Sequence, residues 1–428
     1  MAGFKTFLKS GHPWTLFCSF LYFDFCFAVW VLNGAMAPFI SETYNLTPAQ
    51  KGFMLSVPII SGALMRFPLG VLSQYIGRKS AALVEMGVII LGLGWGFFFV
   101  KSYTDVLLMG IPLGIAGASF GVALSLGGGW FPPQYKGLAI GIAGAGNSGA
   151  VLAVLFAPPL AIKYGWQNVY GFAVALMLVP FLLMLIFAKE PPDREKKTFG
   201  ENMKVLVEKD AWVFNVSYIL TFGGYIGFTN FLPTLFHDGY GISKAMMGQL
   251  AAPIIVMASV TRIIGGWIAD RIGGLNVMVV ICVAVCLISL IATTLPPIIF
   301  MMAIMFLLFC ALGAGNGSTF QLVPHRWPVT TAIAMSLIGE IGALGGGLIP
   351  NAMGLSKQYY GTFSYGFLLW AGIAGVIFIM YLKVQRRWTT TWVGKGGRPL
   401  THTNPKSSLI QSADEYEQLL RSGRYYGV

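Results

Sequence analysis

Twelve times along its length this chain runs for about 20 residues with hardly a charged side chain, and about 20 apolar residues are what a helix needs to cross the core of a bilayer. The stretches lie at 15–38, 53–74, 80–100, 104–127, 137–160, 167–187, 212–235, 246–269, 276–294, 297–323, 329–352 and 363–383. That succession leaves little choice of fold. The strands of a membrane barrel would alternate apolar and polar residues over about 10 positions, whereas these runs are continuous. An all-α membrane protein with 12 transmembrane helices is expected. Composition agrees, with 10% charged residues where soluble domains carry about 25%, and a mean hydropathy of +0.72.

The longest polar interruption before the tail, "AKEPPDREKKTFGENMKVLVEKDA" at 188–211, divides the chain. It separates an N-terminal six-helix half (1–187) from a C-terminal half (212–385), and a polar cytoplasmic tail (386–428) follows. The tail is expected to be solvated and without regular structure; "SADEYEQLL" at 412–420 has the pattern of a short amphipathic helix, but the solvated reading is preferred. With the N-terminus inside, 21 of the 28 Lys and Arg fall in cytoplasmic segments, and five (Lys51, Lys101, Lys163, Lys244 and Lys357) fall in outer loops. The positive-inside rule then places both termini in the cytoplasm of a multi-pass inner-membrane protein. The N-terminus leads into the first stretch without a small-residue cleavage site, so a retained span is expected. This distribution accounts for the net charge of +12 with the bilayer as partner and no nucleic acid.

The halves repeat at an offset of 196 residues, which carries Arg66 onto Arg262, Gly70 onto Gly266 and Gly77 onto Gly273. It also lays "GASFG" (117–121) over "GAGNG" (313–317), and "GIAGAGNSGA" (141–150) over "LIGEIGALGG" (337–346). Arg66 and Arg262 belong to neither side of the membrane. Each stands 11 residues before its glycine, about 16 Å along a helix and so near the middle of the bilayer. A guanidinium there is costly and functional by default. It is a flat, permanently charged fork of donors suited to planar oxyanions, so two at repeat-related positions point to a small-anion site between the halves. The alternative is that each arginine pairs with a buried carboxylate and locks its helices together.

Over essentially all 12 stretches the chain resembles the nitrate/nitrite porters of the major facilitator superfamily. The resemblance rests on Arg66, Arg262, "AGAGNSGA" (143–150), "GEIGALGGGLIP" (339–350), "YILTFGGYIGF" (218–228) and "SFGVALSLGGGWFP" (119–132). It implies that fold, two six-helix halves in pseudo-twofold repeat, and nitrate or nitrite as substrate. Arg66 and Arg262 would clamp the anion, Asn147 and Tyr218 would hydrogen-bond around it, Ser336 would join the site, and Phe120 and Phe222 would sandwich it. The signature glycines Gly144, Gly146, Gly149, Gly339, Gly342, Gly345 and Gly346 would let helices slide. Gln74 stands in "GVLSQYIGRK" (70–79) where the wider superfamily usually has aspartate, whereas "GGWIADRIGG" (265–274) keeps it.

Three carboxylates lie within the stretches. Glu85, six residues past Lys79, is expected to reach the interface. Asp24 and Glu340 lie deeper. Net anion uptake against an inside-negative potential costs about 2.3 kcal/mol per charge per 100 mV, and a buried carboxylate could carry the protons that drive it. Glu340, with Asp24, is therefore the proton-coupling candidate in a nitrate/proton symporter, and nitrate/nitrite antiport, which needs no proton carrier, is the alternative. A monomer is expected, and no cofactor or metal, because the five cysteines lie inside apolar stretches without a metal-ligand spacing, Cys282 and Cys286 being four apart as packing residues, and the four histidines lie apart in loops or tails. No nucleophile–base constellation marks an enzyme. An anion channel or sensor is the remoter reading, disfavoured by the glycine-jointed halves and the short tail.

Overall fold

The computed structural model describes residues 2–192, 208–327 and 331–398, and the regular structure of these residues is helical. Among them, 11 helices are long and apolar enough to span a membrane. The first six are Pro13–Tyr44, Pro48–Ile76, Arg78–Phe98, Tyr103–Gly128, Leu138–Tyr164 and Trp166–Phe187. Lys209–Gly239, Lys244–Ile272, Gly274–Ala292 and Ile298–Arg326 are the seventh to tenth, and Ser364–Thr391 answers the twelfth stretch. The eleventh stretch, expected over 329–352, forms two helices, Thr331–Gly346 and Leu348–Tyr360, parted at Gly347. The glycine run 345–347 weakens the helix there, because glycine loses most backbone entropy on ordering.

The repeat is visible in the geometry. The second and eighth spans are both 29 residues long, start and stop 196 residues apart, and end on glycines with φ of 98° (Gly77) and 95° (Gly273). A side chain is strained in that conformation. Packing repeats too. A Cβ on Gly52 would strike the carbonyl of Pro350, and one on the equivalent Gly248 would strike that of Val154. The second span thus lies backbone to backbone on the eleventh, and the eighth lies likewise on the fifth. Ser56 Oγ adds a hydrogen bond to the Gly347 carbonyl, 2.7 Å.

All these contacts between halves gather toward the face opposite the N-terminus. At the N-terminal face, Pro133–Gly144 and Lys209–Tyr218 pack chiefly within their own halves. Outward-turned residues such as Leu91, Ile263 and Ile299 are largely exposed, as lipid-facing side chains must be.

Two expectations need correcting. Helix continues beyond residue 385 to Thr391, and Trp388 and Val393 are buried, so the tail is folded where it begins. Its Gly394–Gly397 turn seats against Gly273 and Gly274. Glu85 is only 1% exposed and accepts a hydrogen bond from the Tyr22 hydroxyl. Six residues of helix carry it only about 9 Å inward from Lys79, but its face of the helix turns to the first span and not to the interface. Segment 412–420, where a short amphipathic helix is the alternative to a solvated tail, and most of the linker 188–211 lie outside the described residues.

Candidate anion site

Three helix irregularities lie around the two arginines, and a fourth, the π turn Leu235–Gly239, ends the seventh span away from them. The fourth span tightens into a 3₁₀ turn at Ala116–Ala118, the fifth at Ala145–Ser148, and the seventh widens into a π turn at Ile219–Gly223. Such turns depart from the regular i→i−4 ladder and are frequent at functional sites. Arg66, 5% exposed, uses the carbonyls near them: Nε donates to Gly117 O at 2.8 Å and Nη1 to Gly339 O at 2.7 Å. Its Nη2 is buried and has no partner. One arm of the fork is therefore anchored to each half, and the remaining donors point into a site lined by aromatic rings.

The Arg66 guanidinium carbon lies 5.0 Å from the Phe222 ring centroid, 5.4 Å from Trp30 and 5.6 Å from Phe120. Arg262, half-buried, lies 5.9 Å from the same Phe120 ring and 5.6 Å from Phe320. Phe120 is thus shared by both cations. Tyr218 stacks between Phe222 (5.1 Å, 9°) and Phe320 (4.7 Å, 16°), making a column with Arg66 at one end and Arg262 at the other. Ring faces attract guanidinium groups, so the column spaces two like charges that would otherwise repel. Among the described residues no carboxylate lies within ion-pair distance of Arg66 or Arg262.

The other expected site residues divide. Ser336 Oγ faces Gly121, next to Phe120. Asn147 turns to the eighth span: with its amide in the orientation that satisfies both ends, its oxygen accepts from Ser259 Oγ (3.2 Å) and its nitrogen donates to the Gly144 and Ala145 carbonyls (3.3 Å each). Glu340 follows the Gly339 carbonyl that Arg66 grips; one of its carboxylate oxygens is buried without a partner, and its charge acts on Arg66. Asp24 is set apart, accepting from Ser148 Oγ at 2.7 Å.

The signature glycines are seats for neighbouring backbone. A Cβ on Gly149 would strike the Asp24 carbonyl, and Gly146 lies against Asp24 N. Gly342 lies against Tyr218, Gly345 against Ile219, and Gly346 against Ile226 and Gly223. Gly339 faces Arg66, and only Gly144 has room to spare. Trp30, Phe320, Ser259 and the Gly117 carbonyl belong to the site but were not expected from the sequence. Phe320 carries a weak signal, one helical turn past Asn316 in the repeated "GAGNG" segment; Trp30 carries none. Two apolar grooves, one beside Val216 and Leu368 and one beside Leu91 and Phe98, lie on the outer walls away from the arginines and contain no charged residue.

The sequence pattern of the Major Facilitator Superfamily matches residues 18–350. The nitrite extrusion protein of Bacillus subtilis (strain 168) is 26% identical over 386 residues, covering 90% of this chain and 95% of that one. The probable nitrate transporter NarT of Staphylococcus haemolyticus (strain JCSC1435) is 28% identical, covering 82% of this chain and 91% of its own. The probable nitrate/nitrite antiporter NarK1 of Thermus thermophilus is 26% identical, covering 87% and 91%. Among solved structures, the inward-facing, occupied bacterial homologue of the human lysosomal transporter Spinster superposes with a TM-score of 0.66 at 19% identity, covering 87% of this chain and 97% of that chain. The human organic anion transporter MFSD10 (TETRAN) gives 0.67 at 14% identity, covering 86% and 99%.

Proposed function

Because this chain belongs to the Major Facilitator Superfamily, we propose that it carries nitrate across the cytoplasmic membrane as a monomer by alternating access, taking it up together with protons. The observation that carries the reading is Arg66. It is buried, anchored to both halves through Gly117 and Gly339, and left with an unpartnered Nη2, its guanidinium among three aromatic rings of which one, Phe120, is shared with Arg262. A planar, delocalised, weakly hydrated anion suits two guanidinium forks and ring faces better than a compact ammonium would. In this reading both termini are cytoplasmic, and Tyr218 and Ser336 hydrogen-bond around the anion. Asn147 exchanges its bond with Ser259 for one with the anion as the halves rock.

Net uptake needs a proton carrier. Glu340 suits that role better than Asp24, since it lies in the half-to-half contact beside Arg66 and has an unpartnered oxygen, whereas Ser148 holds Asp24. Nitrate/nitrite exchange is the second reading, favoured by the names of the Bacillus and Thermus relatives.

The test is purified protein in liposomes that hold a pH dye and neither nitrate nor nitrite. On adding external nitrate, lumen acidification that tracks nitrate entry is expected. No flux until nitrite is loaded inside would replace symport by exchange, and no nitrate flux in either case would overturn the substrate.

A further inference from the structure

Two of the lysines that the positive-inside count leaves on the outer side have a common geometry. Lys51, in the first turn of the second span, is paired with Asp238 at the end of the seventh, and Lys244, at the start of the eighth, is paired with Glu42 at the end of the first. Glu42 and Asp238 are 196 residues apart and so occupy equivalent places in the two halves. Each half therefore offers an acid at the end of its first helix to a lysine at the start of the other half's second helix. Lys51 and Asp238 are shielded, with side-chain exposures of 10% and 26%; in the other pair Lys244 is 18% exposed, its ammonium 4.7 Å from the Phe39 ring, while Glu42 is 64% exposed at the rim. The Ala49 amide adds a third tie between the halves, donating to Gln358 Oε1 at 3.1 Å.

Below these pairs, between the closed face and the arginines, the seventh span presents a strip of polar atoms with nothing to bond. Thr229 Oγ1, Asn230 Oδ1 and Thr234 Oγ1 are buried without partners, as is Asn33 Nδ2 on the first span. Asn230 lies against Gly34, and Tyr225 faces Thr229 and Ser259 without closing a hydrogen bond. Buried polar atoms are normally satisfied. A strip of orphans running from the anion site toward one face fits a surface that is wet in another conformation.

We infer that Lys51–Asp238 and Lys244–Glu42 form a reciprocal latch that holds this face shut, and that the strip of Thr229, Asn230 and Thr234 with Asn33 lines the anion's path to Arg66 and Arg262 when the latch opens. The inference rests on the alternating-access reading but not on nitrate as substrate. Opposed charges at an interface fix its register, and two pairs built on equivalent acids, with lysines one turn apart in the repeat, break together when the halves rock.

The experiment follows the rate at which a charged methanethiosulfonate labels Thr229→Cys in lipid nanodiscs, where both faces meet the reagent. Labelling is expected to be slow in the otherwise native chain and at least about fivefold faster once Glu42→Gln and Asp238→Asn are added, the lower end of a typical coupling between two conformations. Lys51→Asp alone speeds labelling, and combining it with Asp238→Lys slows it again. Equal rates in all these proteins, or a charge swap no slower than Lys51→Asp alone, overturn the latch. If the double neutralisation does not survive purification, the swap series decides by itself. Nitrate flux is measured separately: labelling that follows the latch in a protein moving no nitrate keeps the latch and removes the substrate, and flux with unchanged labelling does the reverse.

Discussion

Arg66 and Arg262 are equivalent in the sequence repeat but not in their surroundings. Arg66 holds two backbone carbonyls, whereas Arg262 is held by the Phe120 and Phe320 ring faces and by the Tyr218 hydroxyl. A lysine in either place supplies a point charge in place of a fork. Arg66→Lys and Arg262→Lys are both expected to weaken nitrate binding at least tenfold, about 1.4 kcal/mol or more, by isothermal titration. Only Arg66→Lys should also lower the melting temperature, because it strands at least one of the Gly117 and Gly339 carbonyls at a cost of about 1–3 kcal/mol. Phe320→Ala removes a ring shared by Arg262 and Tyr218 and should weaken binding by about 1 kcal/mol. Glu340→Gln should abolish proton-driven uptake and spare nitrate/nitrite exchange. Unimpaired acidification in that variant would remove Glu340 from the coupling path.

At the scale of elements, the glycines decide how closely helices approach. Where a Cβ would strike backbone, the helices must separate; where nothing stands near, a methyl group is harmless. Gly52→Ala and Gly248→Ala collide with carbonyls of the facing half and should each destabilise the protein by about 1–3 kcal/mol, as overpacking does. Gly87→Ala and Gly141→Ala meet nothing within 4 Å and should be neutral or stabilising by up to about 1 kcal/mol through helix propensity. Thermal unfolding of the four variants checks this, and a similar fall in all of them would refute the close-approach account. The two interfaces of the anion site follow the same logic: the fifth span seats on the first through Gly146 and Gly149, and the eleventh on the seventh through Gly342 and Gly345.

For the whole molecule, the contacts describe a carrier closed at the face opposite its N-terminus, with the ends Pro133–Gly144 and Lys209–Tyr218 kept within their own halves. Transport then requires the second and eleventh spans to part. A disulfide between Ala49→Cys and Gln358→Cys, at positions joined by a hydrogen bond across the halves, should stop nitrate flux, and a reductant should restore it. Undiminished flux through the oxidised protein would show that this face need not open. Turnover that stops on cross-linking also separates a rocking carrier from a channel, whose conductance would not require the halves to part.

Hydropathy and the repeat are local or fixed-offset properties, and what depends on them was legible in the sequence. The membrane class, the helical stretches, the glycine stops at Gly77 and Gly273 and the place of Arg66 and Arg262 inside equivalent spans all follow from runs and spacings along one chain. Tertiary structure alone decided which groups meet. It brought Phe120 within reach of both guanidiniums, added Trp30 and Phe320, turned Asn147 to Ser259, and left Glu340 without an ion pair. It also hid Glu85 behind Tyr22 and joined Lys51 to Asp238, 187 residues away. Such pairings depend on the rotation and separation of packed helices. In a chain with 32 phenylalanines and 54 glycines, no spacing along the sequence says which ring or which bare backbone faces another helix.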